Sequence, residues 1–121
     1  SGSSTVPTAT VRLTKVEKGK RKPEMSQDAS IGDGPVDATL KAIDRITTTR
    51  GRLKDYSIRA VSQGKDALGE VTLTADFGEH VLVTGKGAST DIIEASARAY
   101  LNAVNRYLGN TERAKCGTEK P

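Results

Sequence analysis

Residues 85–109, GKGASTDIIEASARAYLNAVNRYLG, restrict the fold of this chain more than any other segment. Ile92, Ser96, Ala99 and Ala103 recur there at three- and four-residue steps, which predicts an amphipathic helix. This face is rich in Ala and Ser, so the helix backbone can lie close against a sheet.

Both ends of this helix carry recognisable signals. Ser89, Thr90 and Asp91 are residue types that cap the free N–H groups of a first turn. Asp91 and Glu94 have the spacing of a capping box, with Asp in place of the usual Ser or Thr. Gly109 is predicted to end the helix, because glycine is common just past a last turn.

Gly85 and Gly87 precede the helix as a G-x-G pair, and Gly32 and Gly34 form a second pair upstream. We expect flexible loops that lead into helix starts, where unpaired N–H groups and the helix dipole attract a carboxylate or phosphate. The alternative is that these glycines only permit tight strand-to-helix turns. The sequence leaves both interpretations open.

The first half of the chain predicts two strands and a helix. Residues 8–13 alternate as a strand does, and a second short strand is expected near 23–29, with a solvent-facing hairpin tip around Gly19. Pro35 suits a first helical position, because its missing N–H would be unpaired there anyway. The helix should end before Gly51.

The second half predicts three strands before the helix described first. The strands are expected at 53–62, 70–77 and 80–85, with a turn over 64–70 and a tight turn at 78–79. Each half therefore contains two strands, a G-x-G pair and a helix, and the second half has one strand more.

This repeat predicts an α+β fold of two like units related by a pseudo-twofold axis. We expect unit one at about 1–50, unit two at about 51–109 and a polar tail at 110–121. The missing counterpart of strand 53–62 suggests that the first strand of unit one precedes residue 1 or is very short. The chain would then be part of something longer.

Size and composition indicate one globular domain. The 121 residues are enough for one domain, and no apolar run is long enough to cross a membrane. The net charge of +4 raises a nucleic-acid module as an alternative function. However, the basic residues are scattered and aromatic residues make up only 3%, which favours solvated faces and no nucleic-acid partner.

The residues that usually carry chemistry are few. His80 and Cys116 are the single histidine and cysteine, so a Cys/His metal set is excluded, and Cys116 is interpreted as an inert thiol in the tail. Lys86 is followed by Gly87 and not by Ser or Thr, so the pattern of a phosphate-binding loop is incomplete. We therefore predict no catalytic residue and no metal ligand here.

Four linked segments carry a family resemblance. They are Gly32-Asp33-Gly34-Pro35-Val36-Asp37-Ala38, Tyr56-Ser57-Ile58-Arg59-Ala60-Val61, Gly64-Lys65-Asp66-Ala67-Leu68-Gly69-Glu70-Val71 and residues 85–103. In this order they resemble the C-terminal regulatory domain of 2-isopropylmalate synthase over about residues 5–108. The regulatory domain of citramalate synthase is a close relative.

The resemblance implies two βββα units, a cytoplasmic homodimer and an allosteric role in leucine biosynthesis. Leucine would bind as the feedback effector. The divalent metal and acetyl-CoA sites would belong to a separate catalytic part. The alternatives are an isoleucine-binding domain of citramalate synthase, and a pure dimerisation domain whose pocket is vestigial.

The resemblance also implies an effector site. Glycine-bordered helix starts would hold the carboxylate, at Gly34–Val36 or at Thr90–Ile92, and backbone carbonyls or Asp91 would hold the ammonium group. Small or apolar residues would line the slot for the branched side chain. The implied residues are Gly32, Gly34, Pro35, Val36, Leu53, Tyr56, Ala60, Ala67, Gly69, Thr90, Asp91 and Ile92.

Overall fold

The computed structural model describes residues 5–119, with the side chains of all but Gln63 and 111–119. Over this range the chain forms five strands and two helices in an α+β fold, which confirms the predicted class. Contacts within the chain divide it into two compact units, residues 1–49 and 50–121.

The first unit begins with an antiparallel hairpin. Strands β1 (Thr8–Lys15) and β2 (Glu24–Ile31) pair along their whole length. Gly19 has a φ of 92° at the predicted tip, a conformation that glycine adopts readily. There the Glu17 carboxylate pairs with the Lys15 and Lys20 ammonium groups at 2.8 and 3.1 Å.

Helix α1 (Pro35–Thr47) covers one face of this hairpin. It begins at Pro35 and ends before Gly51, as predicted. The chain leaves the helix through Thr48, whose φ is 56°. The buried residues of the helix are Ala38, Thr39, Leu40, Ala42 and Ile43. An ion pair of 3.2 Å between Asp28 and Arg45 also joins β2 to α1.

The second unit contains a three-stranded antiparallel sheet. Its strands are β3 (Arg52–Gln63), β4 (Asp66–Asp76) and β5 (Leu82–Ser89), in the spatial order β3-β4-β5. The turn between β3 and β4 takes only residues 64–65, so the predicted turn over 64–70 is too long. Because the ladder already resumes at the Gln63–Asp66 pair, most of that polar segment belongs to β4.

The start of β5 also differs from the prediction. Glu79 and His80 have φ values of 54° and 62°, in the left-handed region, so neither can continue a strand there. The strand begins at Leu82, and His80 lies in the turn that precedes it. The predicted strand start at residue 80 is therefore wrong.

Alternation along β4 builds the core of this unit. Val71, Leu73 and Ala75 have no solvent exposure, as expected for residues two apart on the covered face of a sheet. Beyond the strand, the Phe77 ring stacks on that of Tyr107 with centroids 4.5 Å apart. Tyr100 lies next to the same ring, at 6.1 Å.

Gly85 and Gly87 lie within β5 and not in a loop, so the predicted flexible loop is wrong at this pair. A Cβ on Gly85 would collide with the Ala99 carbonyl oxygen, and one on Gly87 would lie 2.5 Å from the Ala99 nitrogen. Because these atoms belong to the helix backbone, only glycine permits this separation. The predicted close approach of helix and sheet is confirmed.

Helix α2 (Ile92–Glu119) continues through Gly109, so the prediction that this glycine ends the helix is wrong. Gly109 does not adopt the positive φ that a glycine cap uses, and no proline lies between residues 110 and 120. The backbone of 110–119, predicted as a polar tail, is helical. The Cys116 side chain lies outside the described residues.

In the described range 5–119, neither helix combines the length and the sustained hydropathy that a helix needs to cross a bilayer.

Two glycine-to-alanine substitutions should change stability in opposite directions. Gly85→Ala places a methyl group against the α2 backbone, and we expect a loss of about 3 kcal/mol in the free energy of unfolding. Gly109→Ala meets no atom within 4 Å in a helix interior, and we expect a gain of roughly 0.5–1 kcal/mol. Urea unfolding measures both changes. Equal effects of the two variants would contradict the close approach at Gly85.

Candidate functional site

The predicted residues of the first unit lie where β2 ends and α1 begins. The Gly32 N–H donates to the Pro7 carbonyl at 3.0 Å, which fixes the loop to the segment before β1. A Cβ on Gly32 would collide with the Ala38 backbone nitrogen. This glycine therefore lets the loop turn tightly over the first turn of α1.

The start of α1 carries no side-chain cap. Gly34 is the capping residue, in extended conformation with a φ of −162°, and it has no side chain to accept the first N–H groups. Pro35 has no N–H, so the N–H groups of Val36 and Asp37 are the first of the helix. Such a start offers donors and a positive dipole end to an anion.

The Asp37 carboxylate lies on this first turn. It accepts the Asp33 N–H at 2.9 Å and pairs with the Lys41 ammonium at 3.0 Å. The hydrogen bond from Asp33, followed by the interaction with Lys41, lowers the pKa of Asp37. The same ion pair raises the pKa of Lys41. Asp37 therefore adds a negative charge that is balanced by Lys41.

The start of α2 is capped by its own side chains. The Asp91 carboxylate accepts the Ile93 N–H at 2.8 Å, which confirms Asp91 as a cap. The Ser89 hydroxyl accepts the Asp91 N–H at 3.2 Å and donates to the Glu94 carboxylate at 3.0 Å. Ser89 thus takes the place that a capping box gives to Glu94, and the predicted Asp91–Glu94 box is not formed. Thr90, which lies between Ser89 and Asp91, is exposed.

Four predicted residues of the second unit form a small-residue cluster, defined here as Ala60, Ala67, Gly69 and Ile92. Ala60 pairs with Gly69 across β3 and β4, and Ala67 pairs with Ser62 one step along the same face. A Cβ on Gly69 would lie 2.5 Å from the Ile92 side chain, so Ile92 covers this glycine. Ala60 and Ala67 are exposed, whereas Gly69 and Ile92 are half-buried.

Tyr56 links β3 to α2 next to the small-residue cluster. The Ser96 hydroxyl donates to the Ile92 carbonyl at 2.8 Å, so its oxygen accepts the hydrogen of the Tyr56 hydroxyl, at 2.7 Å. The ring is half-buried. Tyr56 is therefore tied to the helix that supplies Ile92.

Leu53 lies apart from the small-residue cluster. A bulge between Leu53 and Asp55 pairs Leu53 with Ala75, so it lies on the same face as Tyr56, whereas simple alternation predicts opposite faces. Leu53 and Ala60 are seven positions apart along β3, which corresponds to about 23 Å of extended strand. Within this unit the two residues do not line one slot, and the role of Leu53 stays a prediction.

A family model described as "LeuA allosteric (dimerisation) domain" matches residues 1–108. The chain belongs to this family. The LeuA-type domain comprises nearly all of the described residues, and its second unit has the βββα order of elements that the resemblance implies.

Several curated proteins are similar to this LeuA-type domain. The 2-isopropylmalate synthase of Methylacidiphilum infernorum is 52% identical over 106 residues, or 88% of this chain. That of Carboxydothermus hydrogenoformans is also 52% identical, and that of Pelotomaculum thermopropionicum is 50% identical over 93% of this chain. The chain spans about a fifth of the length of these relatives, 20–21%.

Sequence reasoning missed one residue of the LeuA-type domain that belongs with its predicted site. Ile58 lies between Tyr56 and Ala60 on the same face and pairs with Val71, yet 51% of its surface is exposed. Alternation along β3 predicts the face on which Ile58 lies. Its exposure could not be predicted, because it depends on the position of α2 over β4 and β5.

Tyr56→Phe should lower the free energy of unfolding by about 1 kcal/mol, because it removes the hydrogen bond to Ser96 and keeps the ring. Ser57→Ala is the control, since it removes an exposed hydroxyl from the same strand and should change stability by less than about 0.5 kcal/mol. Thermal unfolding of both variants checks this. Equal melting temperatures would contradict the link.

Asp37→Asn should destabilise the first unit in a pH-dependent manner. The lowered pKa of Asp37 means that the folded state favours the carboxylate. This stabilisation is present above the ordinary pKa, about 4, and is lost as the pH falls through the folded pKa. Thermal unfolding between pH 3 and 7 should show a higher melting temperature for the wild type than for the variant at pH 7, and this difference should shrink at low pH. A difference that stays constant with pH would contradict this.

Proposed function

We propose that this chain is the regulatory domain of a 2-isopropylmalate synthase, and that it binds leucine as a feedback inhibitor and associates as a homodimer. Family membership supports the allosteric and dimerisation role, and the names of the relatives support the enzyme to which it belongs. The cytoplasm is the proposed location. The metal and acetyl-CoA of the reaction would belong to a catalytic part outside this chain.

The uncapped start of α1 is the observation that carries the proposal. Leucine brings a carboxylate, and the helix starting at Gly34 and Pro35 has donors that no side chain takes up. The start of α2 is a weaker candidate for the carboxylate, because Asp91 and Ser89 already occupy its N–H groups. Of the two alternatives left open by the sequence, the geometry favours Gly34–Val36.

The second unit, taken by itself, has groups of the kind that the ammonium group and the branched side chain of an amino acid require. The exposed Asp91 carboxylate offers a negative charge to an ammonium group, and it retains a second oxygen beside the one used as a cap. Ala60 and Ala67 are small and exposed beside Ile58 and Ile92, which supplies apolar contact for a branched side chain. These residues therefore fit the chemistry of a branched-chain amino acid.

Gly34 is the most informative position for a test, because a substitution there should preserve or raise stability and lower leucine affinity. Gly34→Asp introduces a preferred capping residue at a position where a Cβ meets nothing within 4 Å. We expect equal or greater stability. The new carboxylate would occupy the N–H groups and repel that of leucine, so we expect leucine affinity to fall at least about tenfold, or 1.4 kcal/mol.

Isothermal titration with leucine, isoleucine and valine measures this effect and identifies the effector. Val36→Asp should also abolish binding, whereas Val16→Asp is the matched control, because Val16 is 82% exposed at the hairpin tip. Heat with isoleucine alone would favour the citramalate synthase alternative. A dimer by sedimentation with no heat from any of the three would overturn leucine regulation and favour the vestigial pocket.

A further inference from the structure

Three side chains of α2 donate hydrogen bonds to three carbonyls of β5. Arg98 donates to the Ala88 carbonyl at 3.1 Å, Asn102 to the Lys86 carbonyl at 2.9 Å, and Arg106 to the Thr84 carbonyl at 3.1 Å. We name Arg98, Asn102 and Arg106 the α2 ladder.

The regular spacing of the α2 ladder follows from the geometry of the two elements. Its members are four residues apart on the helix, an advance of about 6 Å per step. Their acceptors are two residues apart on the strand, an advance of about 6.7 Å. Because the two advances are nearly equal and the helix runs antiparallel to the strand, each side chain of the ladder meets the next outward carbonyl. Gly85 and Gly87 permit the small separation of helix and strand that brings these groups within hydrogen-bond distance.

The carbonyls that accept these bonds point away from β4, toward the free edge of the sheet. β5 is an edge strand, paired only with β4. In an antiparallel pair, residues alternate between those bonded to the neighbour and those directed outward. Thr84, Lys86 and Ala88 therefore direct their backbone groups to the free edge, where an unprotected strand would accept another chain.

The opposite edge of the same sheet lacks such protection. The alternation along β4 directs the backbone groups of Tyr56, Ile58 and Ala60 outward from β3, and the Tyr56 N–H accordingly reaches the Asp55 carboxylate at 3.0 Å. Among the described residues, the backbone of α2 packs on β4 and β5, and the helix reaches β3 only through the Ser96 and Tyr56 hydroxyls, which engage no backbone group of β3. Within this range, side chains of α2 therefore donate to carbonyls of the β5 edge but not to those of the β3 edge.

We propose that the α2 ladder closes the β5 edge to pairing with β5 of a second copy of this chain. Two β5 strands would pair through the outward groups of residues 84, 86 and 88. The ladder prevents this because its side chains already occupy the carbonyls and stand in the path of an incoming strand.

The test removes the ladder and follows the edge directly. The triple variant Arg98→Ala, Asn102→Ala, Arg106→Ala should associate beyond the wild-type state in sedimentation at rising concentration. In the associated form, amide exchange at Thr84, Lys86 and Ala88 should slow by about tenfold, since these N–H groups gain partners. No added association, or association without slower exchange at these amides, would overturn the proposal.

Two further variants complete the test. Arg21→Ala with Lys22→Ala removes two positive charges from the exposed loop between β1 and β2, away from this sheet, and association of this control would overturn the proposal by making charge loss the cause. Should the triple variant not fold, Asn102→Asp alone replaces the central donor by an acceptor of the same shape. This variant should associate, and amide exchange at Lys86 should then slow. If it keeps the association state of the wild type and Lys86 exchanges at the wild-type rate, the proposal is overturned.

Discussion

The contact between the α2 backbone and β5 is the constraint on which the second unit depends. Gly85 and Gly87 have no Cβ, and the helix presents Ala95, Ala99 and Ala103 to them, so main chain lies against main chain. Larger side chains on either element would separate helix from strand. The Phe77, Tyr100 and Tyr107 rings fill the space at the end of the sheet, where the approach no longer needs to be so close.

This close approach also determines what the surface of the unit offers. It brings Arg98, Asn102 and Arg106 within hydrogen-bond distance of the β5 carbonyls. Because the helix is held over β4 and β5, the corresponding face of β3 stays partly uncovered, with Ile58 half exposed. One packing constraint thus accounts for both the closed edge and the apolar residues of the candidate site.

The two helix starts, each preceded by a G-x-G pair in the sequence, differ in their chemistry. Both follow a G-x-G pair, but Asp91 and Ser89 cap α2, whereas Gly34 and Pro35 leave α1 without a side-chain cap. A capped start contributes mainly to stability, and an uncapped start retains donors for an anion. This difference separates the structural role of one helix start from the ligand-binding role proposed for the other.

The sequence by itself determined the elements and their faces. Local patterns were sufficient for the hairpin tip at Gly19, for α1 from Pro35 and for the alternating core of β4, because turn chemistry and periodicity act over a few residues. They were sufficient for the family too, since four motifs stand in order. They failed at three glycines. Gly85 and Gly87 lie in a strand against the backbone of α2, and Gly109 continues a helix.

Only the tertiary structure decided that a bulge turns Leu53 to the face of Tyr56, and that the position of α2 leaves Ile58 exposed. These outcomes depend on which backbone groups of neighbouring strands and helices meet. The physical reason is that the type and spacing of a residue determine which hydrogen bonds and contacts it is able to make, whereas packing determines which partner lies within reach.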